Sequence, residues 1–357
     1  MKKITIGVLF GGKSAEHEIS LLSAKNIVDA LDKTKYTPVL IGIDKNGAWL
    51  VNERSSFLLN SEITSNSNTE NIALIPQCCG ELANLSKTNH APKLDVVFPI
   101  LHGTFGEDGT IQGLLKLANI PFVGASVLGS AIGMDKDVMK RLLRDAKIPI
   151  GKFLVFKSFE EINYSDIIKK LGLPLFIKPA NAGSSVGISK VKNETEFKEA
   201  VKNAFLYDNK ILIEEFIEGR EIECSVLGNE NPKASIPGEL IIKHEFYSYE
   251  AKYLDKEGAI AQIPPDLSPA IIKKIQKLAI KTFKVLSCEG LARVDFFLHK
   301  NGKIFVNEIN TMPGFTAISM YPKMWAASGI SYTELIDTLI ELAIERHKKD
   351  QCLKTTS

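Results

Sequence analysis

Apolar positions change period repeatedly along this chain, and each change marks an element. Residues 4–10 alternate and are rich in β-branched side chains, after which Ile19, Leu22, Ile27, Ala30 and Leu31 recur at helical spacing over 19–31. TPVLIGI at 37–43 reads as a second strand, so the chain opens as a βαβ unit. Asn46-Gly47 predicts a hairpin turn into a strand over 48–51. Residues 53–93 are rich in Ser, Asn and Thr and read as a peripheral excursion with a low-complexity tip near 64–71. A buried strand at 95–101, the loop HGTFGEDGT at 102–110, a helix to about 118 and a short strand at 121–123 follow. The expectation is an open parallel α/β domain with its ligand loops at the strand C-terminal ends.

The small-residue stretch from Gly124 to Gly133 leads into a predicted helix with Met134, Val138, Leu142 and Ala146 on one side, ended by Ile148-Pro149. A compact αβ unit comes next: strand 152–156, a helix opened by the capping box Ser158-x-x-Glu161, strand LFIKP at 175–179, a glycine-rich loop at 182–187, a strand to 191, a helix begun by Asn193 with Glu196, and strand KILIEEF at 210–216. A second unit holds strand 221–228, a loop through 245–265, a helix with Ser268 as cap and Pro269 at its first position, strands 291–299 and 303–309, and a final helix from Ser331-x-x-Glu334. The predicted organisation is 1–125, 126–217 with the glycine-rich loop, 218–350, and a tail at 351–357.

Composition narrows the function classes. With 44 Lys+Arg against 42 Asp+Glu, the net charge of +2 offers no basic field for nucleic acid. Five cysteines without C-x-x-C spacing indicate neither a disulfide framework nor a zinc site. The apolar run after Lys2-Lys3 stops at Gly11-Gly12 and Lys13 with no small-residue cleavage site behind it, and no run approaches the roughly 18 residues of a membrane helix. The expectation is a soluble cytoplasmic enzyme that engages neither nucleic acid nor membrane.

Two motif matches fail on context. Gly7 to Ser14 fits the Walker A spacing, yet Val8, Leu9 and Phe10 complete a strand where a phosphate cradle needs free N–H groups. Gly183-Ser184-Ser185-Val186-Gly187 fits the nucleophile elbow, but a strand rather than a helix follows the serine.

A hairpin near the C-terminus carries firmer chemistry. A two-residue turn at Asn301-Gly302 makes Lys300 face Lys303 and sets Asp295 opposite Glu308 and Arg293 opposite Asn310, all on one face. Two carboxylates and an amide oxygen so close repel unless a cation separates them, and all-oxygen ligands suit Mg²⁺ bridging nucleotide phosphates. The plainer reading is a surface hairpin in which Arg293 pairs with a carboxylate. Phe297 and Val306 share that face by the same arithmetic and would flank an adenine ring. The loop NAGSSVG after Ile177-Lys178-Pro179 supplies backbone donors and a lysine for phosphates.

These residues resemble the ATP-grasp superfamily, and within it the D-alanine–D-alanine ligase family, through GGKSAEHEIS, HGTFGEDGT, MDK, FIKPANAGSSVGISKV, LIEEFIEGREIE, YSYEAKY, ARVDFF and VNEINTMPGFTAISMYP in order. The resemblance implies an N-terminal open parallel α/β domain followed by two α+β lobes of an ATP-grasp fold, working as a homodimer. It implies ATP-driven joining of two D-alanines for peptidoglycan precursors, with ATP and two Mg²⁺ ions, or Mn²⁺, as cofactors. Lys136, Lys178 and Lys252 would meet the phosphates under the backbone of the 183–187 loop, with Ser184 and Ser185 in it. Glu214, Glu215, Ile217 and Glu221 would contact adenine and ribose, with Phe297 and Asn307 also at the nucleotide. Asp295, Glu308 and Asn310 match metal ligands. Glu16 would hold the first D-alanine's ammonium beside His102, with Ser184 and Tyr253 tying down the loop near 245–255. Arg293 and the Gly314 N–H would form an oxyanion hole, and Ser319 with Met320 would receive the second D-alanine. Without the resemblance, His102 reads as a loop histidine, Glu16 as a first-turn helix carboxylate and Lys136 as a surface charge. The rival readings are a ligase for D-lactate or D-serine and a non-catalytic ATP sensor. Tyr253 favours the dipeptide, because in ester-forming relatives a phenylalanine tends to stand there.

Overall fold

The computed structural model describes residues 2–52, 63, 70–85, 92–242 and 259–354, and every structural statement below concerns those. β1 (Ile4–Gly11), α1 (His17–Ala30) and β2 (Tyr36–Ile43) form the expected unit, with β1 and β2 parallel. β1 also pairs in parallel with β6 (Val96–Pro99). The other half of this sheet is antiparallel, through β3 (Trp49–Asn52), β4 (Glu70–Leu74) and β5 (Leu82–Asn84), in the order β5-β4-β3-β2-β1-β6. The domain is therefore mixed rather than parallel. Part of the polar excursion belongs to it, because Ile72, Leu74 and Leu82 are buried in the sheet's core. Such brief apolar runs are enough for strands that need to cover only one face. Residues 121–123 make a single bridge, Phe122 with Val97, instead of a strand.

α2 (Thr110–Leu117) precedes two helices where one was expected, α3 (Val127–Met134) and α4 (Lys136–Asp145). Asp135 between them is extended, and its carboxylate accepts from the backbone N–H groups of Asp137 and Val138, capping α4. The buried face of α4 is Met139, Lys140 and Leu143, displaced from the predicted Val138 and Leu142.

The second sheet is antiparallel, ordered β7-β10-β8-β9, from β7 (Phe153–Phe156), β8 (Leu175–Pro179), β9 (Ser189–Val191) and β10 (Ile211–Glu215). α5 (Tyr164–Leu171) and α6 (Glu194–Ala204) supply buried residues such as Ile167, Phe197 and Val201 to its core. Ser158 caps only a 3-10 turn at Phe159–Glu161, and Asn163 caps α5 instead.

The third sheet, also antiparallel, runs β14-β13-β11-β15-β16 from β11 (Gly219–Gly228), β13 (Gly238–Ile242), β14 (Ala259–Gln262), β15 (Gly290–His299) and β16 (Ile304–Asn310), with β12 (Lys233–Ala234) on β11. α7 (Pro269–Val285) buries Ile275, Ala279 and Phe283 against it. α8 (Met320–Ala327), unpredicted, and α9 (Tyr332–Gln351) return to the first sheet, where Leu335, Ile336, Leu339 and Ile340 join Ile6, Val8 and Phe98 in one core.

The β15–β16 hairpin corrects the turn but keeps the register at the site. Its turn has three residues, since His299 N–H donates to Lys303 O at 2.9 Å and Gly302 sits at φ +80°. Near the turn Phe297 therefore faces Phe305, and Phe296 with Val306 enters the core, so Phe297 and Val306 lie on opposite faces. A bulge at Asn307 supplies the missing offset and restores Asp295 opposite Glu308 and Arg293 opposite Asn310.

Candidate active site

Three strands place three carboxylates in a row, Glu223 on β11 facing Asp295 on β15, which faces Glu308 on β16. One step along, Ser225, Arg293 and Asn310 form the next row. Arg293 holds Asp295 with two parallel bonds, Nε to Oδ1 and Nη2 to Oδ2, each 2.7 Å. Its Nε is also 3.0 Å from Glu223 Oε2. Asn310 Nδ2 donates to Asp295 Oδ2 at 3.0 Å, and Lys136 Nζ approaches Glu308 Oε2 at 3.9 Å. The carboxylate repulsion that the spacing predicts is thus relieved by the chain's own cations, and the plainer Arg293 pairing is present too. The donor set of two carboxylates and one amide oxygen on a single face still fits a hard cation. Arg293 stays protonated: burial works against its charge, and Asp295 and Glu223 more than offset it.

The lysines converge from the second sheet and α4. Lys136, nearly buried, donates to Ala182 O at 2.7 Å, and burial lowers its pKa against the pull of Glu308. Lys178 on β8 pairs with Glu214 Oε2 at 2.7 Å, and Lys140 reaches Glu214 Oε1 at 3.2 Å. Burial pulls the Glu214 carboxyl up, but Lys140 and Lys178 overcome it and hold the group down at about 2. Two ammonium groups on one carboxylate leave an excess positive charge in a dry corner, which favours a polyanion. Glu215 accepts from Lys152 N–H at 2.7 Å on the opposite face of β10, and Ile217 lies against Gly151. Glu221 and Phe297 are paired across β11 and β15, with Asn307 in the bulge beside Glu308.

The glycine-rich loop bends through left-handed conformations at Ser184 (φ +48°), Ser185 (φ +61°) and Gly187 (φ +68°). A Cβ on Gly187 would come within 2.7 Å of Tyr207 and 2.8 Å of Pro179, so only glycine fits. The Ser184 hydroxyl donates to Glu16, linking the loop to the start of α1. Glu16 occupies the N-cap position of α1 yet makes no capping bond with its side chain, which is directed at the loop instead. His102 is buried with Nδ1 at 3.0 Å from Met312 O and Nε2 at 3.3 Å from Ser23 Oγ, so both ring nitrogens bond to protein. Burial lowers its pKa, and it is neutral at pH 7. Gly314 lies against Ser319, where an added Cβ would stand 2.8 Å from Oγ. Ser319 Oγ accepts from Thr316 N–H at 3.0 Å, and Met320 is buried against Gly238.

Lys252, Tyr253 and the 245–255 loop lie outside the described residues. Sequence reasoning missed Lys140, Glu223 and Glu107. Glu107 accepts from Gly103 N–H at 2.7 Å and Met312 N–H at 3.2 Å, and burial, then the charge of Glu16, pushes its carboxyl up to about 8. Its position inside HGTFGEDGT was the available signal, as was the spacing of Lys140 one turn after Lys136.

The family models described as D-ala D-ala ligase N-terminus and C-terminus match residues 5–125 and 142–341. The chain is 57% identical to the D-alanine–D-alanine ligase of Oceanobacillus iheyensis, over 100% of this chain and 99% of that one. It is 51% identical to D-alanine–D-alanine ligase A of Escherichia coli over the full length of both. Among solved structures, the D-alanine–D-alanine ligase of Coxiella burnetii superposes with a TM-score of 0.87 at 44% identity, covering 98% of this chain and 97% of that one. A D-Ala:D-Ser ligase from Enterococcus faecalis gives 0.87 at 37% identity, covering 96% and 100%. ATP-grasp is the fold of these neighbours and of this chain. With two family models spanning most of its length and relatives above 50% identity end to end, the chain belongs to the D-alanine–D-alanine ligase family.

Proposed function

We propose that this enzyme joins two D-alanine molecules into D-alanyl-D-alanine at the expense of ATP, for peptidoglycan precursor synthesis. The observation that carries the site assignment is the row of Asp295, Glu308 and Asn310 beside Arg293, approached by Lys136 at the start of α4. Lys136 and Lys178, with Lys252 from outside the described residues, neutralise the triphosphate under the 183–187 loop. Glu214, Glu215, Ile217 and Glu221 hold adenine and ribose, with Phe297 and Asn307 lining the nucleotide site. Two Mg²⁺ or Mn²⁺ ions on Asp295, Glu308 and Asn310 would screen the phosphate charge.

Glu16 binds the ammonium of the first D-alanine, and a carboxylate oxygen of that D-alanine attacks the γ-phosphorus, releasing ADP and leaving a D-alanyl phosphate. The amine of the second D-alanine, seated against Ser319 and Met320, then attacks the carbonyl carbon. Arg293 and the Gly314 N–H stabilise the tetrahedral oxyanion until the C–O bond to phosphate breaks. Water would consume the acyl phosphate, and excluding it is the role proposed for Tyr253, with the Ser184–Glu16 bond as the described part of that network. His102, with both nitrogens engaged, shapes the first substrate's pocket through Met312 and Ser23.

Five free cysteines accord with a cytoplasmic enzyme, and no described helix is long and apolar enough to cross a membrane. The homodimer implied by the family is read directly by sedimentation of the purified chain. Phosphate release from ATP measured with D-alanine, with L-alanine, and with D-alanine plus D-lactate or D-serine tests the reading. Release that depends on D-alanine and yields the dipeptide is expected. Release independent of D-alanine, or preferential incorporation of D-lactate or D-serine, would sink it, and no release at all would return the chain to a binding role.

A further inference from the structure

We infer that Glu223 is a positioning residue that retains the Arg293 guanidinium when Asp295 is drawn onto a cation. The inference rests on the metal assignment proposed above. Arg293 is held here by two anions of different kinds. Asp295 takes both parallel bonds at 2.7 Å, and Glu223, on the neighbouring strand and 7% exposed, stands 3.0 Å from Nε. Asp295 is also a proposed metal ligand, so its negative charge is claimed twice. A divalent cation drains charge from the Asp295 oxygens and weakens their hold on the guanidinium. Glu223 is not among the proposed ligands and keeps its full charge. β11 fixes it directly opposite Asp295, in the same row as Glu308.

The arrangement also bears on cation affinity. With Glu223 removed, the Arg293 guanidinium leans more heavily on its two bonds to Asp295, and the cation must compete with the arginine for the same oxygens. Partners behind a metal ligand are typically worth about 10- to 100-fold in affinity or activity, which sets the expected size.

The test is Glu223→Gln, which keeps shape and removes charge, with Glu223→Asp as the conservative variant and Asp295→Asn as the control. Mn²⁺ binding to the protein with ADP is followed by electron paramagnetic resonance, alongside kcat and the KM for ATP. Glu223→Gln is expected to weaken Mn²⁺ binding about tenfold and lower kcat by at least about tenfold with KM for ATP within about twofold, and Glu223→Asp to recover much of both. Mn²⁺ affinity and kcat within about twofold of the parent in Glu223→Gln would overturn the inference, as would equal losses in Gln and Asp variants that track only a lowered melting temperature. Mn²⁺ binding that survives Asp295→Asn would instead overturn the metal assignment, and the inference with it.

Discussion

Lys140 is an ammonium group at the centre of a helix face, 2% exposed, with Glu214 as its counter-ion. Lys140→Met removes one of the two cations that keep Glu214 ionised. Lys178 still pairs with Glu214 at 2.7 Å, so no uncompensated buried charge remains, and denaturant unfolding at pH 7 should show a loss below the roughly 3–5 kcal/mol of breaking a buried pair outright. The pH dependence carries a definite sign. The Glu214 carboxyl lies at about 2 in the folded chain against 4.5 ordinarily, so its stabilisation is complete above 4.5 and is lost as pH falls toward 2. In Lys140→Met that loss moves to higher pH, visible as an earlier acid unfolding midpoint. Glu107 runs the other way. Raised from 4.5 to about 8, it favours the fold fully below 4.5, and that contribution is lost as pH rises through 8. Titrating stability between pH 5 and 9 in Glu107→Gln should show a flatter decline than in the parent. None of these three facts was legible from residue types, because a lysine or glutamate beside other polar residues looks like a surface charge until the tertiary fold buries it.

Elements were legible where one period ran without interruption. The β1-α1-β2 unit, the Leu175–Pro179 strand, α7 with its Pro269, and both strands of the β15–β16 hairpin follow directly from the pattern. Where a capping residue falls inside a helical pattern, as Asp135 does, the pattern hides the break. The hairpin shows how a correct register can arise from two cancelling offsets, a turn one residue longer than expected and one extra residue at Asn307. Deleting Asn307 should therefore leave Asp295 opposite Glu308 and preserve folding, while removing a residue proposed at the nucleotide. A melting temperature far below the parent's would contradict that register. α3 gives a second check on element packing. A Cβ on Gly129 would come within 2.6 Å of Ser287 O, a backbone atom that cannot turn aside. Gly129→Ala should cost about 1–3 kcal/mol by overpacking, despite alanine's better helix propensity.

At the scale of the molecule, the third sheet and the chain's last helix explain why no part of the site stands alone. α9 buries Leu335, Ile336, Leu339 and Ile340 against β1 and β6, and Arg346 donates to Gly124 O at 2.6 Å and Phe122 O at 2.8 Å. Burial of four such side chains contributes roughly 6–12 kcal/mol, comparable with the whole stability of a domain. Truncation after Ile330 should give a chain that fails to fold cooperatively, as read by calorimetry. Sequence order alone could not show that return, since it joins residues more than two hundred positions apart. An α/β unit followed by two further sheets was legible, and the even charge balance is matched locally, where Lys136, Lys140, Lys178 and Arg293 lie against Glu214, Glu223, Asp295 and Glu308. The proposed chemistry, an acyl phosphate formed on D-alanine beside these groups, is tested most directly by following an oxygen atom. D-alanine labelled with ¹⁸O in its carboxylate is turned over with unlabelled ATP, and the released phosphate is analysed by mass. One labelled oxygen in each phosphate, carried across when the amide forms, is expected. Phosphate free of label, with dipeptide still produced, would contradict it.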